Sequence, residues 1–376
     1  MIKDNPLFHS ELVNRGRQIE LDFAKGLAIV FMLLIHCFQE FSAWPPQPTI
    51  PTFIISFLGS PPAAPVFMFA LGIGIVYSRK SSPKNLLLRG VRLLILGFVL
   101  NFFRDFLPDC TIYLRTGDES YLQSGINYLF GIDILAFAGL VFLFFAAAAK
   151  LKFKNAHYAL AAALFAGANL LVSGTTSGTP VVNTALGLLW GTNENTWFPF
   201  LTWIPYPISG YLFGQLLVRC TDKKRFYKTV LSCAFPVLCL FLVYSVTANV
   251  DFGAKDGIFQ EPYFHHSLIG NIVMISFVCC WTGMLYFLSR HMPDIVMRTF
   301  SRWSRNITTI YCVHWIIIGW SLAVIEHPLP LPWILLYFVG LVIVSDIVSV
   351  LYLKLKSGVI SRIETSRGKA RHSISA

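Results

Sequence analysis

Three side chains that could carry acid–base chemistry lie inside otherwise apolar stretches of the sequence: His36, Arg104 and Asp133. An ionisable group in such surroundings is costly unless it is paired or faces a cavity, so each is a candidate functional residue. A neutral imidazole is inexpensive to bury and suits general-base work, although a hydrogen bond between packed helices would also explain His36. Asp133 needs a partner, and we expect either His36 or Arg104 to provide it.

A second set of charged residues lies where apolar stretches begin. Asp22 and Lys25 are three residues apart on one helical face, which fits either a local ion pair or a binding role. Arg89 and Arg92 precede a long apolar run, and arginines at such a position suit the phosphates of a coenzyme or simply set membrane orientation. Further polar residues have no role that the sequence can decide: His265, His266, His314 and Asp346.

The elements that must position these residues are membrane helices. Of the 376 residues, 55% are hydrophobic and 13% charged, and the mean hydropathy is +0.62. The apolar residues come in runs long enough to span a bilayer. We therefore expect an all-α, polytopic integral membrane helix bundle of about ten spans. The predicted spans are 21–42, 62–78, 86–107, 124–149, 155–173, 198–218, 226–247, 265–289, 306–325 and 331–353.

The basic residues predict the orientation of this bundle. With ten spans, 27 of the 30 Lys and Arg residues lie on the side of both termini, and Arg104, Arg115 and Lys255 lie opposite. The positive-inside rule then places both termini in the cytoplasm. The predicted parts are a cytoplasmic segment (1–20), a membrane domain (21–355) and a basic cytoplasmic tail (356–376). Because the basic residues alternate with apolar runs, we expect a lipid bilayer rather than nucleic acid as the partner of this charge.

Other motifs predict structure rather than chemistry. The eight cysteines have neither metal-ligand spacing nor a disulfide framework, so we expect no metal site. Residues 1–20 lack the pattern of a removable signal peptide. Gly72-Ile73-Gly74 lies inside an apolar span and predicts close helix packing rather than nucleotide binding.

The first apolar run also resembles a known family. It reads Leu21-Asp-Phe-Ala-Lys-Gly-Leu-Ala-Ile-Val-Phe-Met-Leu-Leu-Ile-His36. The run resembles the first helix of the transmembrane acyltransferase superfamily, which includes the acyltransferase 3 and heparan-glucosaminide acetyltransferase-like proteins. Asp22, Lys25-Gly26 and His36 match its acidic residue, Arg-Gly pair and histidine, with lysine in place of arginine. Four later segments, 64–79, 89–104, 198–214 and 304–315, are similar to further helices of the superfamily in the expected order.

The resemblance implies transfer of an acyl group, usually acetyl, from cytoplasmic acyl-CoA to an extracytoplasmic sugar or glycan, in the plasma membrane of a bacterium. His36 would be the general base or a transient acyl carrier, and Asp133 would orient it. Arg104 and Asn101 would stabilise the thioester oxygen or hold the acceptor. Asp22, Lys25, Arg89 and Arg92 would form the acyl-CoA site, without a metal.

Two other classes of protein fit the same residues. A proton-coupled transporter or flippase of a polar or lipid-linked solute would also need buried His, Asp and Arg side chains. A scaffold or sensor would depend on helix packing alone. The sequence leaves open the acceptor, the length of the acyl chain, O- against N-acylation, the order of the chemical steps, and whether the chain forms a homodimer.

Overall fold

The computed structural model describes residues 7–43, 46–192, 195–250 and 263–374. Most of these residues are helical, and a π-helical segment at Phe102–Phe106 joins the fourth helix to the fifth. The α-helices are, in chain order, α1 (Ile19–Phe41), α2 (Ile50–Gly59), α3 (Ala64–Tyr77), α4 (Pro83–Asn101), α5 (Leu107–Thr116), α6 (Glu119–Leu129), α7 (Ile134–Lys150), α8 (Asn155–Val172), α9 (Pro180–Gly187), α10 (Phe200–Trp203), α11 (Pro205–Leu217), α12 (Lys223–Thr247), α13 (Leu268–Ser289), α14 (Asp294–Leu322) and α15 (Leu331–Ile374).

The all-helical membrane fold is confirmed. Within the described residues, seven stretches are long and apolar enough to cross a membrane, judged by length and composition. They are Ile19–Phe41, Ile50–Tyr77, Pro83–Thr116, Asn155–Val172, Lys223–Thr247, Leu268–Ser289 and Leu331–Ser357. The other three predicted spans coincide with α7, with the pair α10–α11 and with the second half of α14. The count of ten spans and the cytoplasmic location of the termini stay predictions.

The fourth predicted span, 124–149, differs from the structure in a way that matters for the site. Instead of one helix it contains the end of α6 and most of α7, separated by a short loop around Gly131. Asp133, expected about nine residues into a helix, is the N-cap of α7 and accepts a hydrogen bond from the Ile134 amide. Averaging hydropathy over the whole run hides this break, because only Gly131 and the capping preference of aspartate mark it.

The second predicted span also differs at its start. The apolar residues before it form a separate helix, α2, whose first turn is capped by Thr49 and Thr52. α3 then begins at Ala64, after two consecutive prolines that interrupt the helical hydrogen bonds. Several large side chains of α2 are exposed, among them Phe53 and Phe57, as expected of a segment that faces lipid.

Close contact between two glycine-containing helices fixes one side of the bundle. A Cβ atom on Gly72 of α3 would lie 1.9 Å from the Pro207 carbonyl oxygen, and one on Gly210 of α11 would lie 1.9 Å from the Phe69 carbonyl oxygen. The two backbones therefore touch where neither residue has a side chain. Close packing at Gly72 was expected, whereas a Cβ on Gly74 would meet no atom within 4 Å.

Polar contacts tie the start of α1 to two other helices. The Glu20 carboxylate accepts from the Tyr227 hydroxyl at 2.9 Å and pairs with Lys223 at 2.6 Å, both on α12. The Asp22 carboxylate accepts from the Ser304 hydroxyl of α14 at 2.6 Å. From this end, α1 passes through the apolar core to its other end, where His36 lies.

Candidate active site

His36 meets a second histidine from the far end of the chain. Its Nδ1 lies 2.9 Å from Nε2 of His314 on α14. The indole of Trp315, also on α14, lies beside the His36 ring with the ring centroids 4.2 Å apart. His314 is completely buried, whereas His36 is partly exposed and lines a cavity. The packing of α1 against α14 therefore fixes the His36 ring from two sides.

The partners of the two imidazoles assign their protons. Nδ1 of His314 lies 3.1 Å from the carbonyl oxygen of Ile310, which can only accept, so Nδ1 carries the proton. A neutral His314 then has a lone pair on Nε2, and it accepts the N–H of His36 Nδ1. This arrangement leaves the lone pair of His36 on Nε2. One backbone carbonyl thus sets the tautomer of both rings, and among the described residues the basic Nε2 of His36 has no hydrogen-bond partner.

Arg104 lies in the π-helical segment, where one extra residue in the turn redirects side chains. Its side chain is 4% exposed and stacks over the indole of Trp315, with the guanidinium carbon 4.5 Å from the ring centroid. The backbone carbonyl of Arg104 touches α14 at Gly319, where a Cβ would lie only 1.8 Å away. The π segment therefore sits against α14 just beyond the two histidines.

Asp133 connects this segment to α14. One of its carboxylate oxygens accepts from Nη1 of Arg104 at 2.6 Å, and the Tyr311 hydroxyl lies 2.6 Å from both oxygens. Nε of Arg104 also donates to Asp105 at 2.8 Å. The guanidinium has five N–H donors, and these two contacts use two of them. Of the two partners expected for Asp133, the structure shows Arg104; His36 pairs with His314 instead.

Asn101 positions the loop that carries Asp133. Its side-chain amide donates to the carbonyl oxygens of Leu129 and Gly131, at 3.2 and 2.9 Å. Asn101 is buried and does not line the cavity beside His36. Its contacts therefore support the position of Asp133 rather than the direct role expected from the sequence.

A second loop holds the same turn from the other side. The amide of Ile132 donates to the carbonyl of Asn195, and the Trp197 amide donates back to the Ile132 carbonyl, at 2.9 and 3.1 Å. This bridge brings the Trp197 ring next to that of Tyr128, with centroids 6.1 Å apart and planes within 5°. Tyr128 at the end of α6 and Trp197 of this loop thus form one wall of the space near Asp133.

A cavity of about 450 Å³ connects these groups. Its lining includes the three candidate residues His36, Arg104 and Asp133, together with Tyr311 and Trp315. Its remaining polar lining residues are Gln39, Glu40, Ser60, Asp105, Asp109, Ser124, Tyr128, Trp197 and Tyr263. The volume is in the range of pockets that bind small molecules, and a basic nitrogen, a guanidinium and carboxylates converge on it.

The residues expected to bind a coenzyme are only partly brought together. Asp22 and Lys25 form an ion pair at 3.4 Å and line a second cavity of about 280 Å³, with Arg15, Arg17 and Tyr77. Arg17 also pairs with Asp22. Arg89 and Arg92 lie on α4 outside this lining, and the Arg89 guanidinium stacks over Phe142 at 4.3 Å. The smaller cavity therefore brings Arg15 and Arg17 together with Asp22 and Lys25, whereas Arg89 and Arg92 do not line it.

Sequence reasoning missed most of the groups around His36. His314 was ambiguous, and neither Tyr311 nor Trp315 was a candidate. All three lie on one helix, where a spacing of three or four residues places side chains on the same face. A search for polar residues at this spacing within an apolar span would have found Tyr311 and His314 together.

One of three comparisons with known proteins finds a match. A family model described as an acyltransferase domain, Acyl_transf_3, matches residues 18–350. Searches of the curated proteins and of the solved structures find no match. The matched range begins just before α1 and ends within α15. It contains the whole described lining of the larger cavity, whereas Arg15, Gly16 and Arg17 of the smaller cavity precede it.

Proposed function

This chain belongs to the acyltransferase 3 family and is a membrane acyltransferase, and from that membership we propose the reaction that it carries out. It transfers an acyl group, usually acetyl, from cytoplasmic acyl-CoA to a hydroxyl of an extracytoplasmic sugar or glycan at the plasma membrane. The observation that carries this proposal is the hydrogen-bond chain from the Ile310 carbonyl through His314 to His36. That chain leaves a basic nitrogen on a residue that lines a cavity of about 450 Å³.

In this reaction His36 is the general base. Its Nε2 takes the proton of the acceptor hydroxyl as that oxygen forms a bond to the thioester carbonyl carbon. The resulting tetrahedral oxyanion accepts hydrogen bonds from the remaining donors of Arg104. When the carbon–sulfur bond breaks, the CoA thiolate takes the proton from His36. The acceptor ester and CoA leave, and the histidine returns to its neutral state.

Two groups near His36, the Trp315 ring and the Glu40 carboxylate, support this cycle. The imidazolium that forms lies next to the Trp315 ring, whose face attracts a cation. Glu40 follows His36 by one helical turn and lines the same cavity. Asp133 holds Arg104 in place rather than orienting His36, because its contacts are to Arg104 and Tyr311. The base and the oxyanion donor are thus positioned by separate hydrogen-bond networks, and both contact the Trp315 ring.

The positions of the two cavities support entry of the donor from the other end of α1. Met32 and Phe67 line the larger cavity, whereas Lys25 and Ala70 line the smaller one. Both cavities therefore lie along the same seam between α1 and α3. Lys25 and His36 are eleven residues apart, or roughly 16 Å along a helix. The coenzyme's phosphates would lie near Lys25, Arg15 and Arg17, with its long thiol-bearing arm extending towards His36.

The test is acyl transfer by the purified chain in detergent, with radiolabelled acetyl-CoA and a panel of sugars. We expect CoA release that depends on an acceptor, and a loss of about 10²–10⁴-fold in rate in His36→Ala. The matched control is His291→Ala, because His291 is an exposed histidine that lines neither cavity. It should keep the full rate.

Three outcomes would change the proposal. Label that stays on the wild-type protein without an acceptor, and is absent from His36→Ala, would make His36 an acyl carrier instead of a general base. Full transfer by His36→Ala would remove His36 from the chemistry. Solute uptake into proteoliposomes that needs His36 but no acyl-CoA would favour a proton-coupled transporter.

A further inference from the structure

Tyr128 and Trp197 bring two aromatic rings to the cavity that His36 lines. The ring centroids lie 6.1 Å apart, and the two planes are within 5° of parallel. Tyr128 is 38% exposed and Trp197 is partly exposed. Aromatic residues are common where a membrane protein meets the lipid headgroups. These two rings line the cavity of the candidate active site, so anchoring in a bilayer interface does not by itself account for them.

The position of the Trp197 ring is fixed by the turn that carries Asp133. A Cβ atom on Gly131 would lie 2.9 Å from Cζ3 of Trp197, so a side chain at this position would displace the ring. The Trp197 amide also donates to the Ile132 carbonyl oxygen at 3.1 Å. Asn101 donates to the Gly131 carbonyl oxygen at 2.9 Å and holds the same turn. The ring is therefore fixed relative to Asp133 by contacts on both sides of the turn.

The polar ends of both rings are available to a ligand. Among the described residues, neither the Tyr128 hydroxyl nor the Trp197 indole N–H has a hydrogen-bond partner. A tyrosine hydroxyl can donate and accept, and an indole N–H can donate. The wall thus combines two apolar ring faces with two unused polar groups. A cyclic sugar has the complementary arrangement, with C–H groups on the faces of its ring and hydroxyls around its rim.

Resting on the function proposed above, we infer that Tyr128 and Trp197 form the acceptor subsite, in which a pyranose ring of the acceptor lies with a C–H face against Trp197. Stacking of this kind buries the apolar face of the sugar and leaves its hydroxyls free for hydrogen bonds. An open-chain polyol has the hydroxyls without a rigid C–H face. The subsite therefore selects a cyclic sugar as the acceptor.

The wall is joined to the proposed base through side chains that line the same cavity. Asp133, on the turn behind Trp197, binds Arg104 at 2.6 Å. Arg104 and His36 both contact the Trp315 ring, at 4.5 and 4.2 Å from its centroid. A sugar on the wall thus shares the cavity with the two groups that the proposed reaction requires, the basic nitrogen of His36 and the free donors of Arg104.

Sugar binding can be measured without acyl-CoA, by saturation-transfer difference NMR on the purified chain in nanodiscs. The probes are the methyl β-glycosides of glucose, galactose, mannose and N-acetylglucosamine, with glucitol as the open-chain control. We expect a signal on the ring C–H protons of at least one glycoside, and a signal at least about fivefold weaker in Trp197→Ala. The control is Trp333→Ala, an exposed tryptophan of α15 that lines neither cavity, and it should keep the full signal.

Three results of this experiment would overturn the inference. The first is the absence of a signal from every glycoside with the wild-type protein. The second is a signal from glucitol as strong as that from the glycosides, and the third is an unchanged signal in Trp197→Ala.

The acyl-transfer assay gives an independent reading. Trp197→Ala should raise the KM for the acceptor about tenfold, because one ring face buries on the order of 60 Å² of apolar surface. The kcat and the KM for acetyl-CoA should change little, and Trp197→Phe, which keeps a ring face, should recover part of the loss. If Trp197 only supported the turn that carries Asp133, its loss would lower kcat instead.

A fall in kcat with an unchanged acceptor KM, or a rise in the KM for acetyl-CoA alone, would therefore overturn the inference. Absence of CoA release with every acceptor would count against the proposed function alone, because the NMR experiment does not depend on acyl transfer.

Discussion

Substituting either Arg104 or Asp133 alone should lower the free energy of unfolding substantially. Substituting the second residue of this ion pair, once the first has been replaced, should lower it much less. The two side chains are 4% and 5% exposed and lie 2.6 Å apart. Breaking a buried pair by losing one partner costs about 3–5 kcal/mol, because the other charge stays buried. Arg104 keeps Asp105, and Asp133 keeps the Tyr311 hydroxyl, so we expect about 3 kcal/mol for each single change.

The double variant completes a thermodynamic cycle. Arg104→Gln with Asp133→Asn should cost about 4 kcal/mol in total, which gives a coupling free energy of about 2 kcal/mol. The free energies are measured by unfolding the detergent-solubilised protein with increasing dodecyl sulfate and following helix content by circular dichroism. With about 5–15 kcal/mol of total stability, most of the variant molecules should remain folded without denaturant.

A second ion pair provides the control for this cycle. Arg302 and Asp346 join α14 to α15 at 2.7 Å, but their side chains are 38% and 22% exposed. The same cycle with Arg302→Gln and Asp346→Asn should give a coupling of less than about 1 kcal/mol. If the Arg104 and Asp133 changes are additive within about 0.5 kcal/mol, or couple no more than the control pair, then the buried charges do not depend on each other and the account of this site is wrong.

Two further predictions concern the tautomer and the helix contact. His314→Leu removes the acceptor for His36 Nδ1–H and should lower kcat at least about tenfold with little change in KM. His314→Gln keeps an acceptor oxygen and should restore part of the rate. Equal losses of kcat in both variants would contradict the tautomer assignment. Gly210→Ala places a Cβ 1.9 Å from the Phe69 carbonyl oxygen and should cost at least about 1–3 kcal/mol in the unfolding assay. Gly74→Ala, where nothing lies within 4 Å, should be neutral or stabilise by up to about 1 kcal/mol, and similar effects of the two changes would count against the packing described here.

The sequence was most informative where a charge interrupts an apolar run. His36, Arg104 and Asp133 were candidates for that reason, and the structure places all three around one cavity. It was least informative about pairing between distant helices. His36 and His314 are 278 positions apart, and their contact depends on how α1 packs against α14. No local pattern records such packing, so the partner of the central histidine could not be predicted.

The start of α7 shows a different limit. The apolar run from 124 to 149 was correctly expected to be helical and to hold Asp133, yet the break before Asp133 was missed. In the middle of a helix, the Asp133 carboxylate would have needed a partner mainly to balance its negative charge. As an N-cap it also binds a backbone amide, which fixes the direction of its second oxygen. The role of Asp133 therefore depends on a local detail that a composition window cannot resolve.

The π-helical segment between α4 and α5 has a consequence for how this chain can vary. Successive residues of an α-helix are rotated by about 100°, so deleting one residue from Phe102–Phe106 would turn everything on one side of the deletion by that angle. α4 is held against α7 and α5 against α6, and a regular helix could keep only one of these registers. The extra residue of the π-helical segment thus shifts the helical register, so that α4 can pack against α7 while α5 packs against α6. Sequences related to this one should tolerate substitutions in the segment, except at Arg104, far better than a change in its length.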